Sequence, residues 1–184
     1  MPIKTPICDF GQAAKSFELK STNNEIISLS DVWGKNGTLI MFICNHCPYV
    51  IAVIKNIVED CKNLRKLGIK SVAICANDSI NYPEDSFDKM IEFSKNHKFN
   101  FPYLIDKTQE VAKNYGAVCT PDFFGYNKDL ELQYRGRIRE LNNLKVVSSG
   151  ESDLFRAMKQ ISETNMGPKN QIPSMGCGIK WLNN

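Results

Sequence analysis

No stretch of the chain approaches the length of a bilayer crossing: the longest apolar run, Thr38-Leu39-Ile40-Met41-Phe42-Ile43, is the size of a strand. A membrane span is therefore not expected. Charge of either sign is in short surplus, with 23 Lys and Arg against 20 Asp and Glu. No basic run or basic–aromatic interleaving occurs either, so nucleic acid is not an expected partner. Met1-Pro2-Ile3-Lys4-Thr5-Pro6 lacks the apolar segment of a secretory signal, which points to a cytoplasmic location. Neither Gly-x-Gly-x-x-Gly nor a Walker loop is present, and no organic cofactor is expected. Internal repeats and low-complexity linkers are missing too. The 184 residues, 42% of them hydrophobic, suit one domain over 1–184 with its own core. Seven cysteines, an odd number scattered along a mid-sized chain, fit poorly with a disulfide framework.

What is present is a concentration of sulfur chemistry. Cys44-Asn45-His46-Cys47 follows the apolar run directly, and Pro48 then precedes apolar residues at helical spacing: Val50, Ile54, Ile57, Val58, Cys61 and Leu64. A continuous Leu-, Ile- and Phe-rich run reads as a buried parallel strand. Two thiols thus stand where a strand hands over to a helix N-terminus, whose unpaired N–H groups and dipole stabilise a thiolate.

The rest of the chain supplies the scaffold. A lead-in hairpin, Phe17–Lys20 and Ile26–Leu29, lies within an N-terminal extension over 1–37. The helix from Pro48 stops near Gly68, and Ser71–Ala76 reads as a second core strand. A helix over Glu84–Asn96, a strand over Phe101–Ile105 and a short helix over Thr108–Tyr115 follow. Phe123–Tyr126 and Leu130–Tyr134 form a hairpin, and a last helix covers Ser152–Thr164. A tail over 165–184 holds Cys177 between glycines. Strands alternating with helices, then a hairpin and a helix, give an α/β mixed sheet with helices on both faces. With Cys-x-x-Cys after the first core strand, the order is that of a thioredoxin-like fold, with an inserted strand–helix before residue 118.

The stretch Phe42-Ile43-Cys44-Asn45-His46-Cys47-Pro48-Tyr49-Val50 resembles the signature of peroxiredoxin-like redoxins (AhpC/TSA-like) of the thioredoxin superfamily. Tyr82-Pro83-Glu84-Asp85-Ser86, Cys119-Thr120-Pro121-Asp122-Phe123-Phe124 and Pro173–Trp181 match the same group, so the likeness covers most of the chain. It implies a redox site in which Pro121 is cis and Thr120 presents its main chain to an incoming peptide or disulfide. It also implies a protein or small-molecule disulfide or thiol as substrate and an external thiol as electron donor.

On this reading Cys44, the more exposed thiol and the nearer to the helix end, attacks, and Cys47 resolves the mixed disulfide. His46, when protonated, stabilises the Cys44 thiolate and makes the couple more oxidising than thioredoxin's. The strand Thr38–Ile43 lacks the carboxylate that thioredoxin buries as a proton acceptor, so the base is unassigned. A peroxidase needs Pro-x-x-x-Thr-x-x-Cys. The Thr and Pro positions for Cys47 hold Cys44 and Ile40, and those for Cys44 hold Met41 and Gly37. Arg135, Arg137 or Arg139 is left to supply a guanidinium, and weak thiol peroxidase activity is the alternative. A metal-binding or chaperone-like module is the other, with Cys44, Cys47 and His46 joined by Cys119 or Cys177 as ligands. Cys119, beside Thr120-Pro121, and Cys177, in the tail, are candidate additional redox thiols. Cys61 and Cys75 read as small hydrophobes.

Overall fold

The computed structural model describes residues 1–183; Asn184, the last residue of the predicted tail, lies outside the described residues. In chain order the elements are β1 (Ile3–Lys4), β2 (Glu18–Ser21), β3 (Ile26–Ser28), β4 (Gly37–Phe42), α1 (Pro48–Lys66) and β5 (Ile69–Cys75). A 3-10 turn (Pro83–Asp85) leads to α2 (Phe87–Asn96), β6 (Tyr103–Ile105), α3 (Glu110–Tyr115), β7 (Cys119–Thr120), β8 (Asp122–Tyr126) and β9 (Leu132–Tyr134). The chain closes with β10 (Leu141–Asn142), β11 (Lys145–Val146), α4 (Asp153–Thr164) and β12 (Met175–Gly178). Among the described residues no helix is long and apolar enough to cross a membrane.

Seven strands form the main sheet in the order β3-β2-β6-β5-β4-β8-β9. β4 pairs in parallel with β5 and antiparallel with β8, so the sheet is mixed. Central β4 shows why its sequence is apolar throughout. Leu39, Met41 and Ile43 face one cluster with the inner stripes of α1 and α4, while Ile40 and Phe42 face a second with Ala112 and Tyr115 of α3. Every residue of β4 is buried, as a strand covered on both faces requires.

Two differences from the sequence reading have local causes. The helix expected from Glu84 begins at Phe87, because the Ser86 side chain caps it by accepting the Lys89 N–H and Pro83–Asp85 is left as a separate 3-10 turn. The tail carries a strand, β12, placed between β1 and β7 in a second, three-stranded sheet. Its sequence, Met-Gly-Cys-Gly, has no strand periodicity; neighbouring main chain makes it a strand.

Candidate redox site

Cys47 is the N-cap of α1, at φ −68° and ψ 121°, and its carbonyl accepts the Ile51 N–H at 3.0 Å. Pro48 occupies the first helical position, where its fixed φ suits the turn and its missing N–H leaves nothing unpaired. That proline also decides which thiol meets the helix end. Since Pro cannot sit in a helix interior, the helix starts after the second cysteine instead of between the two. The sequence reading of Cys44 as the thiol nearer the helix terminus is therefore corrected: Cys47 holds the helix end, and both thiols are buried, Cys44 1% exposed and Cys47 0%.

Electrostatics follow the same order. The Cys44 thiol hydrogen-bonds to Cys47 and, against the cost of burial, brings the Cys47 thiol down to about 5. The Cys177 thiol and backbone N–H and the Thr120 side chain add to that. Cys44 is pushed up by the same hydrogen bond, by burial and by the negative charge of Asp85, with the Thr120 hydroxyl acting the other way. The mutual hydrogen bond thus sets the two thiols apart, Cys47 the more acidic and Cys44 the less. Thr120 bridges both sulfurs: its Oγ1 lies 3.4 Å from Cys44 Sγ, and its carbonyl oxygen lies 3.1 Å from Cys47 Sγ. The Thr120–Pro121 peptide is cis.

The missing carboxylate comes from outside the strand. Asp85, buried at the end of the 3-10 turn, accepts the Asn45 N–H at 2.8 Å and the Asn77 side-chain amide at 2.7 Å. His46 Nδ1 lies 2.7 Å from Asp85 Oδ2, an ion-pair distance without the alignment of a formed hydrogen bond. The Tyr82 ring lies parallel to the imidazole, with centroids 6.0 Å apart. The Cys44 sulfur, a His46 nitrogen and an Asp85 oxygen lie within 4.8 Å of one another. This set offers a soft metal one sulfur, one nitrogen and one oxygen. Both carboxylate oxygens already accept amide donors, an arrangement that suits a proton relay better than a metal centre. Sequence reasoning missed Asp85: it lies in one of the conspicuous stretches, but nothing local aims it at residue 46.

A cavity of about 220 Å³ opens beside Pro121, lined by Tyr49, Val53, Ile138 and Met175 together with Lys4 and Arg139. Of the arginines expected as peroxide ligands, Arg135 is committed elsewhere, while Arg137 and Arg139 line this cavity. Arg135 pairs with buried Asp122 through two hydrogen bonds, at 3.2 and 2.9 Å, and also donates to the Gly116 carbonyl. Arg137 Nε is 2.7 Å from Asp153, and Arg139 donates to the Ser148 and Gly150 carbonyls. Cys119 is wholly buried on β7, and burial raises its thiol far above the usual range. Cys61 and Cys75 are pushed up to about 12 by burial and act as core hydrophobes. Cys177, half-buried on β12, joins Cys44 and Cys47.

This is a thioredoxin-like fold with a buried cluster of thiols at the strand–helix junction. Residues 10–141 match the AhpC/TSA family, and the chain belongs to that family. It is similar to an uncharacterized conserved protein from Geobacillus kaustophilus, at 36% identity over 100% of this chain and 98% of that one, with a TM-score of 0.95. A hypothetical protein from Sinorhizobium meliloti 1021 is 30% identical over 98% of both chains, with a TM-score of 0.90. Peroxidoxin BcpB from Mycobacterium tuberculosis shares the fold at 17% identity and a TM-score of 0.57, over 83% of this chain and 92% of that one. No curated protein matches the chain.

Proposed function

We propose that the protein is a thiol–disulfide oxidoreductase in which Cys47 is the resting nucleophile and Cys44 the resolving thiol. The observation that carries this reading is the position of Cys47 as the N-cap of α1, directly before Pro48, with Thr120 touching both sulfurs; hydrogen bonding from Cys44 favours the Cys47 thiolate. Cys47 attacks one sulfur of a substrate disulfide, forming a mixed disulfide as the first substrate thiolate leaves and takes a proton. His46, steadied by Asp85, accepts the Cys44 proton. The Cys44 sulfur then attacks Cys47 Sγ, the bond to the substrate breaks, and the second substrate thiol departs. One substrate disulfide becomes two thiols, and the protein gains the Cys44–Cys47 disulfide.

Pro121 borders the cavity that receives an apolar group of the substrate, while the main-chain edge of Thr120 is covered by β12. Electrons return from an external thiol, as a reducing compartment such as the cytoplasm would supply. Insulin-disulfide reduction with dithiothreitol as donor tests the reading. Wild type should catalyse it, and Cys44→Ser and Cys47→Ser should each reduce turnover to background. Wild type at background would refute it.

A weak thiol peroxidase is the second reading, favoured by membership of the AhpC/TSA family and by a thiolate at a helix N-cap. Arg135 is committed to Asp122, and Arg137 and Arg139 on the cavity wall are engaged by Asp153 and by the Ser148 and Gly150 carbonyls, so no guanidinium is dedicated to steadying a departing hydroxide. Peroxide consumption with dithiothreitol should therefore be slow relative to disulfide reduction.

A further inference from the structure

The C-terminal strand carries a third sulfur into the site along the edge where a substrate would pair. β12 runs antiparallel to β7, with Cys177 opposite Thr120 and Gly178 opposite Cys119. An extended partner adding a strand beside the cis proline would take that same edge through main-chain hydrogen bonds. The chain fills it with its own segment. Gly176 permits the approach, since a Cβ there would stand 2.0 Å from the Thr120 carbonyl oxygen. Both ends of the strand are pinned. Ser174 Oγ donates to the Pro121 carbonyl at 2.8 Å, and the Ile179 N–H donates to the Val118 carbonyl at 3.2 Å. Cys177 is consequently held opposite Thr120, whose carbonyl oxygen lies 3.1 Å from Cys47 Sγ, and hydrogen bonding from Cys177 favours the Cys47 thiolate. Of these three sulfurs, Cys177 alone belongs to a residue that is not fully buried.

We propose that Cys177 is the thiol through which reducing equivalents reach the sealed pair, an inference that rests on the dithiol reading above. In the oxidised protein the Cys177 sulfur attacks Cys47 Sγ. The Cys47–Cys177 bond forms as the Cys44–Cys47 bond breaks, and Cys44 leaves as a thiolate that takes up the proton Cys177 has lost. His46, beside Cys44, is placed to deliver that proton. No electron is gained or lost; the disulfide now includes Cys177, which is not fully buried. An external dithiol then attacks the accessible Cys177 sulfur, and Cys47 departs as the stabilised thiolate, the kind of leaving group that speeds exchange. The second thiol of the reductant attacks its own sulfur in the mixed disulfide, and Cys177 leaves and is protonated. Two electrons have entered, and the reductant departs as a disulfide.

The test starts from protein oxidised to one disulfide, acid-quenched, digested and mapped by mass spectrometry, followed by timed re-reduction with dithiothreitol. Wild type should contain a Cys47–Cys177 peptide pair alongside Cys44–Cys47. Cys177→Ser keeps a hydroxyl donor toward Cys47 but cannot form a disulfide, and its re-reduction should slow by about tenfold or more. Gly176→Ala keeps the thiol but pushes the strand off Thr120, and should lower both the Cys47–Cys177 yield and the re-reduction rate. Cys8→Ser, remote from the cluster, is the control. The absence of any Cys47–Cys177 pair, or Cys177→Ser re-reduced at the wild-type rate, would overturn the relay. Mapping uses chemically oxidised protein, so it judges the relay even if insulin reduction fails, and that failure would count against the oxidoreductase reading alone.

Discussion

Replacing Cys44 with alanine removes the largest of the interactions that hold Cys47 as a thiolate. A hydrogen bond to a charged acceptor is worth about 1.5–3 kcal/mol, and about 1.4 kcal/mol displaces a pKa by one. Cys47 should therefore rise from about 5 to between about 6 and 7 in Cys44→Ala. Ultraviolet absorbance of the thiolate reads this cleanly. Cys8 and Cys177 are raised to about 11, Cys61 and Cys75 to about 12, and Cys119 higher still. From acid to neutral pH, then, the signal belongs to Cys47 alone. Wild type should show a one-thiolate step near pH 5, and the variant the same amplitude at higher pH. The sign for stability follows from a depressed acid. The stabilisation is complete above the thiol's ordinary value of 9.0 and is lost as pH falls through about 5. Reduced wild type should accordingly become more stable across that window as pH rises, and Cys44→Ala less steeply so. Absence of a wild-type step on the acid side of neutrality, or a step unmoved in the variant, would refute the reasoning.

A thiolate at about 5, against about 7 in thioredoxin, stabilises the reduced pair by about 3 kcal/mol. Equilibration with glutathione should therefore place the Cys44–Cys47 couple roughly 60 mV above thioredoxin's potential, and a value at or below thioredoxin's would contradict this. Asp85→Asn should slow resolution of the mixed disulfide about tenfold or more while leaving its formation nearly unchanged, as stopped-flow single turnovers would show. Asp60, buried beside Ser152, has its carboxyl raised to about 6 by burial, so its stability contribution is full below 3.8 and is lost as pH rises through about 6. Asp60→Asn should thus raise stability at neutral pH by about 3 kcal/mol in urea melts and flatten the dependence between those values. Arg135→Met leaves the Asp122 carboxylate buried without its partner and should cost about 3–5 kcal/mol by the same melts.

The sequence was most readable where one residue type answers to one local rule. The unbroken apolar run became the doubly covered β4, Pro48 set the start of α1, and Gly116, at φ 65°, stops α3 as a left-handed C-cap. The same proline settled which thiol caps the helix, a consequence that counting from the strand end missed. Long-range partners were beyond reach. Asp85 reaches His46 across 39 positions through a 3-10 turn that carries no catalytic pattern. Asp122 opens β8 and Arg135 directly follows β9, where either alone reads as a solvated charge. β12 escaped notice because a Gly-flanked segment shows no strand period, although the glycine at 176 is what lets it lie on Thr120.

The central claim is that Cys47, not Cys44, makes the first bond to substrate. It is tested most directly by trapping the mixed disulfide on variants that cannot resolve it. Cys44→Ser combined with Cys177→Ser should accumulate substrate linked to Cys47, identified by peptide mapping. Cys47→Ser combined with Cys177→Ser should accumulate little. Substrate held on Cys44 in the second variant, with none on Cys47 in the first, would contradict the account.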